Sequence, residues 1–99
     1  MSKKIIRREE KIPVLFSEDE RTLILEHTLA DDVLTEPLEQ ALADNNRLTV
    51  PFTLDDLDDL MGFITAEANH TEDRDLREEL EALLDRLGMI EDDYAVEED

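Results

Sequence analysis

A chain of 99 residues with 29 acidic and 10 basic side chains, a net charge of −19, has room for one small domain and repels nucleic-acid phosphates and anionic lipid. It has no cysteine, which excludes disulfides, thiolate zinc sites and cysteine nucleophiles. No apolar run approaches the ~20 residues that span a bilayer, and the start lacks the apolar stretch of a signal peptide, so the expectation is a cytoplasmic protein.

Residues 1–11 form a basic arm. Lys3, Lys4, Arg7, Arg8 and Lys11 stand against Glu9 and Glu10, which leaves five arginines against 27 carboxylates in the remainder. A single small domain is expected over residues 12–90. Val14-Leu15-Phe16-Ser17-Glu18-Asp19-Glu20 and Val50-Pro51-Phe52-Thr53-Leu54-Asp55-Asp56 share one pattern: a β-type run, a Phe, a hydroxyl residue suited to an N-cap, then carboxylates at the positive end of a helix dipole. Ser17 to Glu20 spells a capping box, and Thr53 to Asp56 a shorter-armed version. Each therefore predicts a strand feeding a capped helix. Divergent duplication would produce the same pattern, but strand-to-cap junctions also recur for physical reasons alone.

The first helix is predicted from Glu18 to about His27, with Leu23 and Ile24 inward. Residues 30–37 read as a connection. Leu38 to Ala43 fits either a helix or a strand. The turn chemistry of Asp44-Asn45-Asn46 favours the strand, paired as a hairpin with Arg47 to Phe52. Leu57, Leu60, Met61, Ile64 and Ala68 then form a helical stripe over residues 54–69. Leu76, Leu80, Leu83, Leu84 and Leu87 form another, with Thr71 or Asp73 at its start and Gly88 suited to the left-handed position after its end. Residues 91–99 are an acidic tail expected to fray. The predicted fold is α+β, a small antiparallel sheet of two or three strands packed against a short helix and a C-terminal αα-hairpin.

The stretch Phe52 to Leu87, with Phe52-Thr53-Leu54-Asp55-Asp56-Leu57, then Ala66-Glu67-Ala68-Asn69-His70-Thr71 and a Leu-rich helix, resembles a segment of small uncharacterised bacterial acidic proteins, some of them associated with a plasmid-type domain of unknown role. The resemblance implies a bacterial or mobile-element setting. It brings no activity, cofactor or catalytic residue.

Candidate chemistry is sparse. Glu67 and His70, three apart on a helix, match half the ligand set of a di-metal carboxylate bundle, but the second Glu-x-x-His is missing, since His27 directly follows Glu26. A small metal-binding protein using His27, His70 and a carboxylate is the third reading. The plainer one places His70 at a helix C-terminus, with Asn69 as the capping residue. Ser17 and Thr53 are explained as caps rather than nucleophiles, Gly62 and Gly88 are too isolated for a phosphate loop, and the acidic runs lack the EF-hand ligand order. No cofactor and no catalytic residue is expected. The first expectation is a non-enzymatic interaction or regulatory protein whose carboxylates, Asp55, Asp56, Asp58, Asp59, Glu67, Asp75, Glu78 and Glu79, bind a basic protein surface. The second is a nucleic-acid-mimicking decoy that occupies a DNA- or RNA-binding protein. A solvated face that only keeps the chain soluble is the alternative to both.

Overall fold

Ile12, Val14 and Phe16 alternate with Pro13 and Leu15, a two-residue period that buries the first set and exposes the second. Leu48, Val50 and Phe52 repeat the device. The computed structural model describes residues 3–97 and orders its elements as β1 (Lys4–Ile6), β2 (Ile12–Ser17), α1 (Glu18–His27), α2 (Asp32–Gln40), β3 (Arg47–Phe52), α3 (Leu54–His70), α4 (Arg74–Asp92) and β4 (Tyr94–Val96). The fold is α+β, with a helical hairpin near its C-terminus.

Strands β2 and β3 pair antiparallel, from Ile12 opposite Phe52 to Ser17 opposite Arg47. Their inward residues meet across the ladder, and the Phe16 and Phe52 rings sit edge to face with centroids 6.3 Å apart. The Glu18 N–H donates to the Asn46 carbonyl at 3.3 Å, one step past the ladder, so the ladder bonds fall on the even-numbered residues of β2. Pro13 and Pro51 oppose each other at an odd-numbered pair. Their missing donors therefore face the outer edges, where no bond of this sheet is lost and an added strand would meet a gap.

The hairpin expected from Leu38 to Phe52 does not form, because residues 38–40 belong to α2. Leu34 and Leu38, four apart, are both buried, and this stripe overrides the strand period. Pro37 lies inside the helix rather than before it, and the Arg21 guanidinium donates to the Leu38 and Ala41 carbonyls at 3.4 and 2.7 Å, holding the helix end. Only the turn survives from the prediction. Asn45 and Asn46 take φ of 53° and 64°, and Asp44 and Arg47 exchange both backbone bonds across a single bridge. The sheet persists because β3 finds β2 instead.

Both N-caps form, Ser17 with its full capping box and Thr53 with the hydroxyl half alone. The Ser17 Oγ accepts from the Glu20 N–H at 3.0 Å while the Glu20 carboxylate accepts from the Ser17 N–H at 2.8 Å, and the Thr53 Oγ1 accepts from the Asp56 N–H at 3.1 Å. Helix α3 packs antiparallel on α4, and Leu57, Leu60, Ile64, Leu80, Leu83 and Leu87 join the inner face of the sheet in one core. Two predicted endings move. Gly88 is an interior residue of α4, which runs on to Asp92 because Ile90 still packs on the core; the cap of α3 is Thr71, not Asn69.

The chain ends also differ from expectation. Residues 94–96 do not fray but form β4, parallel to β1, with the Lys4 N–H donating to the Asp93 carbonyl at 2.9 Å and the Glu97 N–H to the Ile6 carbonyl at 2.7 Å. Apolar side chains anchor the pair, since Ile6 is buried and Tyr94 and Val96 pack against the core. Residues 1–2 of the arm and 98–99 of the tail lie outside the described residues.

Candidate functional site

The acidic surface is built on α3 and α4, whose starts are fixed by Thr53 and by Asp73, the latter accepting from the Asp75 and Leu76 N–H groups at 3.0 and 3.2 Å. Arg77 of α4 closes the end of α3 by donating to the Ala68 and Thr71 carbonyls at 3.1 and 2.8 Å. His70, the last residue of α3, is exposed, and the dangling carbonyls near it are met by Arg77 rather than by its imidazole.

The antiparallel packing divides the eight predicted carboxylates between two ends. Asp55, Asp56, Asp58 and Asp59 stand at the start of α3, beside Glu91 and Asp92 at the close of α4. Glu67 stands near the other end with Asp75, Glu78 and Glu79. From Asp58 to Glu67 the rise is about 13 Å at ~1.5 Å per residue, so one small ligand does not reach both groups. All eight are exposed except Asp56 and Glu67, which are half-buried.

Three of the arginines are committed to structure elsewhere. Arg21 and Arg77 close helix ends, and Arg86 forms a two-point bond with Glu20, its Nε at 3.0 Å from Oε2 and a terminal nitrogen at 2.5 Å from Oε1, while lying 5.8 Å from the Phe16 ring centre. Among the described residues three ion pairs occur: Arg86 with Glu20, Arg21 with Glu18 at 3.8 Å, and Arg8 with Asp55 at 3.9 Å. Of the predicted carboxylates, only Asp55 thus has a cationic partner there. The basic arm turns back on the chain's own surface through that contact and through Lys4, whose Nζ lies 5.9 Å over the Tyr94 ring.

Charge crowding is visible at Glu91. Partial burial, followed by the Asp58 carboxylate across the hairpin and Asp92 beside it, raises its pKa above the ordinary 4.5, and a hydrogen bond with Asp58 favours the protonated form.

Two hollows adjoin the acidic surface. In one, Asp31, Asp58 and Asp59 stand around Phe63 and Ala66 between α2 and α3. The other, about 550 Å³, lies between α1 and α4; Leu23, Ala82 and Leu83 are its apolar lining, and Asp19, Glu79 and His27 stand exposed around it. Sequence reasoning singled out Asp58, Asp59 and Glu79 but missed Asp19 and Asp31, which reach these places only through helix packing. Glu67 and His70 gain no further ligand: among the described residues no group of three or more histidines and carboxylates is placed to hold a metal ion.

Comparison with family models finds no match, and no curated protein or solved structure proves similar to the chain. Among the described residues no helix is long and apolar enough to cross a membrane.

Proposed function

We propose that this is a non-enzymatic interaction or regulatory protein that binds a basic protein surface through the carboxylates of α3 and α4. The observation that carries the reading is the separation of charge from structure: Arg21, Arg77 and Arg86 secure helix ends and a helix contact, and most of the acids have no ion-pair partner among the described residues. Unpaired surface carboxylates at this density create a negative field over roughly a Debye length, ~8 Å at physiological salt, which steers and orients a cationic partner. The exposed Asp58, Asp59, Glu78 and Glu79 contribute nothing to the core, so their cost in self-repulsion calls for a use outside the fold.

The test captures a basic partner by pull-down with the wild-type chain at low salt, then changes Asp55, Asp56, Asp58 and Asp59 together to Asn and measures affinity for that partner across a salt series. Circular dichroism first establishes that the variant is folded, because Asp55 and Asp56 favour the start of α3. Expected are weaker binding and a shallower salt dependence. Undiminished affinity in the folded variant, and equally in a Glu67, Asp75, Glu78 and Glu79 counterpart, would reduce the acidic hairpin to a solvated face. Competition by duplex DNA for the same partner would make the protein a nucleic-acid decoy.

A further inference from the structure

Resting on the reading above, we infer that the groove between α1 and α4 is where the partner docks, and that it receives a basic segment carrying one large apolar side chain. Carboxylates alone would attract cations over the whole surface without choosing a register. Of the two hollows that combine apolar and acidic groups, the one between α1 and α4 has the larger apolar lining. Leu23 is half-buried, Leu83 is 2% exposed, and Ala82 between the two helices is too small to fill the space above it.

The charges around the groove identify the occupant. Glu20 and Arg86 neutralise each other through their two-point bond, while Asp19 and Glu79 belong to no ion pair among the described residues. What remains at the rim is net negative, with His27 its other titratable group, so the complement is a Lys- or Arg-flanked apolar anchor. Glu79, Ala82 and Arg86 follow one another at helical spacings of three and four along α4, as do Glu20, Leu23 and His27 along α1, so each wall of the groove is one face of a helix. A volume of about 550 Å³ accommodates one Leu, Phe or Trp side chain.

The experiment uses the intact chain and a short synthetic peptide of Lys and Leu residues with a single Trp, its affinity read by Trp fluorescence and its location by amide chemical-shift changes. Expected are shifts centred on Leu23, Ala82 and Leu83. Ala82→Trp, which fills the groove, should weaken binding by about tenfold or more, equivalent to ~1.4 kcal/mol. The pair Asp19→Asn with Glu79→Gln leaves the groove open and should weaken binding while flattening its salt dependence, which keeps the test decisive if Ala82→Trp disturbs the helices. Peptide that binds at the hollow of Asp31, Asp58, Asp59 and Phe63, with both groove variants unaffected, would overturn the groove and leave the basic-partner reading standing. No binding to the wild type even at low salt would overturn both.

Discussion

Glu20 accepts from the Ser17 N–H to close the capping box of α1 and holds the Arg86 guanidinium of α4, so one carboxylate joins a local signal to a contact 66 residues away. A cap is worth about 1 kcal/mol and a charge-assisted hydrogen bond ~1.5–3 before solvent screening. Arg86 is 37% exposed at its side chain, so screening trims the second term. Glu20→Ala is expected to cost about 1.5–3 kcal/mol in urea denaturation. Glu20→Gln keeps an acceptor for the cap and gives up the ion pair, so it should cost about half as much. Equal losses in the two variants would mean that the contact with Arg86 outweighs the cap. The capping box itself was legible in the sequence because its members are three residues apart. The Arg86 partner was not, since nothing local in either segment points to the other.

At the scale of elements the same division recurs. α1, α3 and α4 were legible because cap and stripe lie within one continuous stretch. β2 and β3 were legible as strands, but not as partners, because pairing depends on where α1 and α2 carry the chain between them. α2 was missed because Pro37 reads as a break while Leu34 and Leu38, which decide the matter, fall on either side of it. The acidic residues were likewise legible by name, but their division between two ends of the hairpin followed only from the antiparallel packing. The longer α4 yields a prediction. Gly88 sits in the helix interior without a positive φ, and an added Cβ would meet Met61 Cε at 3.7 Å, an ordinary contact; at Gly62 in α3 it would meet nothing within 4 Å. Gly62→Ala and Gly88→Ala should each stabilise by about 0.5–1 kcal/mol, additively, as read by thermal or urea unfolding. Destabilisation by Gly88→Ala would mean that the helix ends there after all.

For the whole molecule, 43 × 28 × 26 Å in extent with a net charge of −19, repulsion among carboxylates opposes the compact state. Raising ionic strength from ~0.01 to ~1 M shortens the Debye length from ~30 to ~3 Å. The urea midpoint should rise by roughly 0.5 M over that range, about 0.5–1 kcal/mol at an m value of ~1–2 kcal/mol per molar. Glu91 localises part of the same effect. Its folded pKa lies above the unfolded value, so the folded protein binds the proton more tightly, and stability rises as pH falls through the raised pKa toward 4.5. Glu91→Gln should therefore be more stable than the wild type at pH 7, with the difference shrinking across that interval. A difference that grew on acidification would contradict a Glu91 pKa raised by burial and by its acidic neighbours.

The pairing of β1 with β4 joins positions ninety residues apart, from Lys4 and Tyr94 to Ile6 and Val96. All of β2 and β3 has been synthesised by residue 52, but this second ladder waits for residues 94–96. A nascent chain thus carries its cationic β1 unpaired beside a growing anionic body until residues 94–96 emerge. Three residues per strand also make it the shorter of the two ladders, so it is expected to open more readily than the pairing of β2 with β3. Because the two strands hold each other, opening the ladder releases residues 4–6 and 94–96 together.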